Sequence, residues 1–428
     1  MILDRTKNPV QPILSASKVN LSLLTPAKGK LDNGLKTFTF LNDATQIVKI
    51  DLLFRAGTAF QKKSFCAIAT AQLLTEGTAH RSAQEIADFL DFRGSYIEKS
   101  VEKESTCITV YTLEKYIDDI LPLLKEILEE PAFPESELTL FISKRKQQFE
   151  IESQKTNFLA RNKFTQLVFG EEHPYGKIGS LEDFSLLKRE DLLDFHASFY
   201  ANSSFDIVLS GSVTQKLLNS VNTYFGQSKK TENTILLDVA NIKTNSNPYF
   251  QKKEDAVQST IRIGKTCISP THKDFAGLSI LNSVLGGYFG SRLMKNIRED
   301  KGYTYGIYSM LQVFQDLSLF FVTADVGSDV TSKAIEEVYK EMQLLQTTLV
   351  SDEELSIVKN YLTGSFIRSI DGVFELSERY KTLLQNNLSI EFFLRYLQEI
   401  EDVESETLQL LARKYLTSPF FEVCVGNI

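Results

Sequence analysis

The sequence predicts a layered fold of mixed strands and helices, α+β or α/β, built twice in tandem. Three observations carry this. A repeat recurs near half the chain length, strand-like and helix-like patterns alternate within each copy, and a polar stretch separates the copies. The repeat is the most informative. The stretch Asp191 to Val213 lies over Glu406 to Ile428, 215 residues on, without gaps. Leu193/Leu408, Tyr200/Tyr415, Phe205/Phe420, Val208/Val423 and Gly211/Gly426 coincide. Each copy reads as a helix, a short Ser-containing turn and an apolar strand ending at Gly. Upstream, Lys125-Glu126 falls on Lys340-Glu341 at the same spacing, and Glu137-Leu138 falls on Glu354-Leu355 two residues adrift.

Within the first copy, Val48 to Gly57 (VKIDLLFRAG) is a buried-strand pattern with a Gly stop, and Cys107 to Leu113 (CITVYTL) is a second strand. Ser82-Ala-Gln-Glu85 is a capping box; Ile86, Phe89 and Leu90 follow at helical spacing, and Gly94 closes the helix. Tyr116 to Glu130 has helical periodicity. The segment from about Ser228 to Asp255 is polar and rich in Lys and Asn, which suits an exposed connection between domains. The expected division is therefore 1–235 and 236–428.

Composition excludes several classes of function. Hydrophobic residues make up 43% and charged residues 24% of the 428, ordinary for a globular protein. The net charge of −8, with scattered Lys and Arg, gives no electrostatic basis for binding nucleic acid or an anionic membrane. No apolar run is long enough to span a bilayer. The start, MILDRTKNPVQ, lacks the pattern of a signal peptide or an organelle presequence, so a cytoplasmic location is expected, with the periplasm left open should further residues precede it. Cys66, Cys107, Cys267 and Cys424 form no C-x-x-C pair and are expected to be reduced, with Cys107 and Cys424 as small core residues of strands.

Several motifs together resemble the insulinase, pitrilysin and mitochondrial processing peptidase superfamily, the inverted zincins. In the first half these are Leu31-Asp-Asn-Gly34-Leu, taken as the opening strand, Phe54-Arg-Ala-Gly57-Thr-Ala-Phe-Gln, Glu76-Gly77-Thr78 with Arg81-Ser82-Ala83, Pro131-Ala-Phe133 and His173-Pro-Tyr-Gly176-x-x-Gly179. In the second half, Leu285-Gly-Gly287, Ser291-Arg-Leu293 and Ile297-Arg298-Glu-Asp-Lys-Gly302-Tyr-Thr-Tyr305 follow in order. The resemblance spans essentially the whole chain. It implies an α+β fold of two similar domains, each a mixed, mainly antiparallel sheet covered by helices, as in LuxS and the metallopeptidases.

The resemblance also marks a loss. The family's chemistry needs H-x-x-E-H on a helix, which sets two zinc ligands on one face beside a general base, with a further Glu well downstream. Anchored on Gly77-Thr78, that window falls on Ile68-Ala-Thr-Ala71-Gln72. Ile68 and Ala71 carry no donor atom, and the Gln72 amide is a poor partner for zinc. The downstream position falls on Gln148 or Glu150. Nor do the four histidines offer a substitute set: His80 is cut off from Glu76 by Gly77-Thr78, His173 serves turn geometry, His196 packs on an amphipathic helix, and His272 lies in a polar segment. No cofactor is expected in this chain, and zinc is expected in a partner.

The second half keeps what the resemblance implies is the other part of the machinery, an Arg and a Tyr seven residues apart that reach toward the substrate carbonyl. Arg298 and Tyr305 have that spacing. A guanidinium and a phenol so placed stabilise a developing oxyanion. A purely structural account competes: Arg298 near a helix end favours the dipole, and Tyr305 alternates with Tyr303 and Ile307 on one strand face, as a core residue would. Gly286 and Gly287 permit a sharp turn or a close backbone approach, and the resemblance implies a mobile substrate-binding loop there.

The resulting expectation is a non-catalytic, substrate-binding subunit of a heterodimeric zinc metallopeptidase for unfolded peptides. It would supply Arg298 and Tyr305 in trans to a homologous subunit bearing H-x-x-E-H, with an extended peptide added to a sheet edge; for the isolated chain, a homodimer is the other arrangement. The alternatives are a peptide-binding or structural protein with no proteolytic role, and a zinc peptidase with unorthodox ligands.

Overall fold

The computed structural model describes residues 24–42, 44–231 and 247–427. The amino-terminal stretch read for targeting signals and the expected boundary at 235/236 lie outside them. Two sheets organise the chain. The first has six strands, β1 (Ala27–Lys30), β2 (Lys36–Leu41), β3 (Ile47–Phe54), β4 (Tyr96–Val101), β5 (Thr106–Leu113) and β6 (Phe205–Gly211), in the order β1-β2-β6-β3-β5-β4. The second has five, β7 (Tyr249–Lys252), β8 (Gln258–Cys267), β9 (Thr304–Val313), β10 (Ser318–Gly327) and β11 (Phe421–Gly426), in the order β7-β11-β8-β10-β9. The repeat extends to topology. β6 runs parallel to β2 and antiparallel to β3, and β11 runs parallel to β7 and antiparallel to β8. This is a two-part α+β fold of mixed, mainly antiparallel sheets covered by helices.

The paired glycines of the repeat have a steric cause. A Cβ on Gly211 would lie 2.1 Å from the Ile47 carbonyl oxygen, and one on Gly426 2.2 Å from Ser259 Oγ. Each ends its strand against the start of the neighbouring strand, where only glycine fits.

In each half, helices cover one sheet face. Ile117–Glu129 and Gln215–Phe225 bury Ile120, Leu124, Leu217 and Val221 with Val48, Ile50 and Leu209. Thr331–Thr347 and Ser405–Tyr415 do the same with Ile261, Ile263 and Val322 in the second half. The opposite faces are covered by exchange. Helix Thr156–Phe169 of the first half lays Ala160, Phe164 and Val168 on Phe321, Phe421 and Val423 of the second sheet. Helix Val373–Gln385 of the second half lays Tyr380 on Phe38 and Phe40 of the first, with ring centroids 5.2 and 5.6 Å apart. These two helices occupy equivalent places in the two copies, so each sheet is sealed by the other half.

Beside Tyr380 the exchange is ionic. Lys49 and Asp51 on β3 are fully buried. Lys381 Nζ lies 2.8 Å from Asp51 Oδ1 and 2.8 Å from Glu378 Oε1, and Lys49 Nζ lies 3.1 Å from Asp51 Oδ2 and also pairs with Glu378. Two lysines against two carboxylates leave the cluster neutral, which is what allows charge to be buried there.

Some local expectations change. Leu31 to Leu35 is the turn joining β1 to β2, closed by a Gly34 N–H to Leu31 O bond of 2.9 Å, and not a strand. The polar connection is not wholly irregular, since Tyr249–Lys252 pairs in parallel with β11. The edge strand β4, with the sequence YIEKSV, carried too little apolar alternation to be recognised. The capping box at Ser82 and Glu85 and the helix ending before Gly94 are as expected.

Candidate functional site

Helix Cys66–Leu73 carries the degenerate window. Ala67, Ala69, Thr70 and Ala71 are fully buried, so Ala71 points into the core. Ile68 and Gln72 face helix Glu135–Glu152 instead. Gln72 and Gln148 line one open depression of about 340 Å3, and Ile68 and Gln148 line a neighbouring cavity. Glu150 lines neither and is exposed. Of the two downstream candidates, it is thus Gln148 that faces the window. Its amide accepts from Arg145 Nη1 and donates to Glu152, both at 3.2 Å.

These residues do not fit zinc. The positions offer a hydrocarbon, a methyl and two neutral amides, where the ion wants imidazole, thiolate or carboxylate. Arg145 lines both cavities, setting a fixed cation beside the place a metal would need. Among the described residues no group of three or more His, Cys, Asp or Glu side chains could hold a metal ion. The histidines are engaged otherwise. His80 Nε2 lies 2.8 Å from Glu130, His173 Nδ1 accepts the Tyr175 N–H at 3.0 Å, and His272 Nδ1 accepts the Asp274 N–H at 3.0 Å. His196 is buried, 2.7 Å from the Leu128 carbonyl oxygen, and burial holds its pKa below the usual value. Burial likewise pushes the thiols up, to about 12 for Cys66 and Cys424 and about 11 for Cys107 and Cys267.

Arg298 and Tyr305 are brought together. Both line an open depression of about 760 Å3 with Gln258, Glu299, Tyr303 and Thr304. Arg298 lies in the π-helical stretch Met294–Asp300, its guanidinium over the Phe289 ring at 4.5 Å and 3.8 Å from Glu299. The cation–π contact orients it without consuming its donors.

Tyr305 corrects the period-two expectation. Thr304 pairs with Val326 and Ile307 with Ala324, so β9 holds one more residue than β10 between these pairs, a β-bulge. Thr304 Oγ1 fixes it, donating to the Asp325 carbonyl at 2.6 Å and accepting the Gly306 N–H at 3.1 Å. The extra residue puts Tyr305 and Ile307 on opposite faces: Ile307 is fully buried and Tyr305 is 92% exposed. Tyr305 is not a core residue. Gly306 inside a strand was the available signal for the bulge; Phe289, Arg145 and the engagement of Gln148 had none.

Gly286 and Gly287 close the π-helical stretch Ser283–Gly287 and do not form a loop. Gly286 is buried, and a Cβ there would lie 2.6 Å from the Ser309 backbone nitrogen of β9. Its role is close packing behind the bulged strand, and only Gly287 reaches the surface.

Comparison with known proteins places these features. The family model of the peptidase M16 inactive domain matches residues 187–362, and that of insulinase (peptidase family M16) matches 38–168. An uncharacterized zinc protease, YmxG of Bacillus subtilis, is 21% identical over 394 residues, covering 91% of this chain and 95% of that protein. A protein called non-peptidase homolog YmxG, from Helicobacter pylori, is 25% identical over 333 residues, 74% of each chain. Among solved structures, a peptidase M16 inactive domain from Pseudomonas fluorescens superposes with a TM-score of 0.82 at 20% identity, over 94% of this chain and 98% of that one. A protease from H. pylori gives the same TM-score at 18% identity, over 94% and 99%.

Proposed function

Since the chain belongs to the peptidase M16 family, yet presents no donor set for zinc among its described residues, we propose that it is the zinc-free, substrate-binding subunit of a two-chain peptidase. The partner is a homologous subunit bearing H-x-x-E-H, where zinc is expected, and the substrates are unfolded peptides. One observation carries this: Arg298 and Tyr305 share an open depression, with the phenol held out of the core by a bulge. A core residue needs no bulge to expose it, whereas a group that serves a molecule from outside does.

The division of labour follows from the chemistry. Arg298 offers guanidinium donors and Tyr305 a hydroxyl to a peptide carbonyl oxygen as it gains negative charge. Neither acts alone, because hydrolysis also needs an activated water, for which this chain has no base at Ala71. The partner supplies that function.

The test mixes this chain with a purified H-x-x-E-H homologue and follows cleavage of a quenched-fluorescent unfolded peptide. Stimulation is expected, and Arg298→Ala should reduce it by about 10²- to 10³-fold, the worth of one oxyanion donor. Equal stimulation by Arg298→Ala would refute donation in trans and leave a binding partner with no catalytic share.

A further inference from the structure

The cavity behind the degenerate helix stands apart in its charge. It measures about 280 Å3, near the lower end of the roughly 300–1,000 Å3 of small-ligand sites. Its floor is aromatic. Phe65 stacks on Phe184 with centroids 3.9 Å apart, and Phe149 meets Phe65 and Phe158 edge-on at 5.9 and 5.3 Å. Phe65 holds this place at a backbone cost, with φ of +67° at the helix cap, and Gly179 leaves room for its ring, since a Cβ there would lie 2.4 Å away. Such strain persists only where the surroundings over-determine it, and it clusters at ligand sites.

The wall is cationic. Lys103, Arg145, Arg161 and Lys177 line it, against the single carboxylate of Glu152. Lys103 Nζ donates to the Tyr175 carbonyl at 2.9 Å and Lys177 Nζ to the Lys62 carbonyl at 3.3 Å, while Arg161 lies over Phe158 at 5.4 Å. Among the described residues none of the four has a carboxylate within 4.0 Å. In a chain of net charge −8, this is a local inversion of sign. Arg262 of β8, in the second half, lies outside this lining but close enough to Arg161 to feel its charge, and its buried Nε has no acceptor. Burial and then the neighbouring Arg161 hold Lys103 below the usual lysine range, and the same two causes bring Arg262 down to about 10. Cations that repel one another across a cavity are relieved by an anion placed between them.

We propose that this cavity binds a peptide carboxylate adjacent to an aromatic side chain, with the ring on the phenylalanine floor and the carboxylate on Arg145 and Arg161. A guanidinium fork matches a carboxylate in both geometry and charge. Ile68 and Gln148, two positions of the lost metal site, share this cavity's lining. The proposal builds on the reading of the chain as a peptide-binding subunit, but it concerns this chain alone and needs no catalysis.

The full chain, in chelator-containing buffer, is titrated by fluorescence anisotropy with N-terminally labelled short peptides. One ends in Phe with a free carboxylate, the second is its amide, and the third is an amide with Glu beside an internal Phe. The free acid, the Glu-containing amide or both should bind at least about tenfold more tightly than the plain amide, the worth of one charge-assisted hydrogen bond. Arg145→Gln and Arg161→Gln should each remove most of that preference; Arg161 is exposed, so its variant keeps the fold. A lead by the free acid assigns the chain terminus as the source, and a lead by the Glu peptide assigns the side chain. Equal binding of all three peptides, or an undiminished preference in both variants, overturns the proposal. Stimulation of the H-x-x-E-H homologue without any carboxylate preference overturns the pocket alone, whereas the preference without stimulation overturns the subunit assignment alone.

Discussion

Replacing Asp51 by asparagine probes how the two halves are joined. Asp51 is fully buried on β3 of the first half, accepting from Thr109 Oγ1 at 2.6 Å and from Lys381 Nζ of the second half at 2.8 Å, with Lys49 Nζ at 3.1 Å. The amide would keep the shape and one oxygen but strand a net positive charge between the sheet and helix Val373–Gln385. Removing one partner of a buried ion pair costs about 3–5 kcal/mol. Glu378 still faces both lysines and its side chain is 54% exposed, so the lower end, about 3 kcal/mol, is expected. Urea unfolding followed by circular dichroism gives the loss, and hydrogen exchange at residues 373–385 should rise with it if the halves part there. A second substitution, Lys381→Met, should cost less in the Asp51→Asn background than alone, since it removes the stranded charge. Burial works to lower the Lys381 pKa, but Asp51, Cys107 and Glu378 together outweigh it and hold the value above the ordinary lysine range. Stability from a raised lysine is fully present below its unfolded value, near 10.5, and is lost as pH rises through the folded one. The cost of Asp51→Asn should therefore shrink at strongly alkaline pH. A loss below about 1 kcal/mol at neutral pH, no more than an exposed pair is worth, would contradict this account.

Other outcomes follow from single residues. Phe164→Ala removes a fully buried ring between helix Thr156–Phe169 and the second sheet, and should cost about 3–5 kcal/mol in the same denaturation assay. Tyr305→Phe should leave stability within about 0.5 kcal/mol, because the hydroxyl is in solvent, while lowering stimulation of the zinc-bearing homologue. His196 is held below its ordinary pKa of 6.5 by burial; its contribution is present above that value and lost as pH falls through the folded one. Wild-type thermal midpoints should thus drop on acidification below about pH 6.5, and His196→Gln should flatten that part of the profile.

Much of the fold was legible because it is written twice. The Gly211/Gly426 match reports equivalent steric needs in two sheets, and such needs survive in a single sequence as spacing. Strands β3, β5 and β11 were legible from their apolar runs, because both faces of each are covered. Strand β4 escaped because an edge strand of alternating polar exposure has no such run. The absent zinc donors were readable directly, as Ile68, Ala71 and Gln72 need only be identified. The choice of Gln148 over Glu150 was not, since two positions apart on a helix point to different faces and only packing says which one faces the window.

Residue types and their order thus determined the duplicated architecture and the replacement of the family's zinc-ligand positions by Ile68, Ala71 and Gln72. They also determined that Arg298 and Tyr305 stand seven residues apart. Tertiary structure decided the rest. A one-residue bulge against β10 turned Tyr305 outward, because hydrogen-bond register is a relation between strands and not a property of either. The exchange of helices Thr156–Phe169 and Val373–Gln385 was equally invisible: an amphipathic face declares that it will be buried, but not by which half of the chain. The cation-lined cavity belongs to the same category, since Lys103, Arg145, Arg161 and Lys177 are scattered in sequence and acquire a common field only when folding brings them around one space.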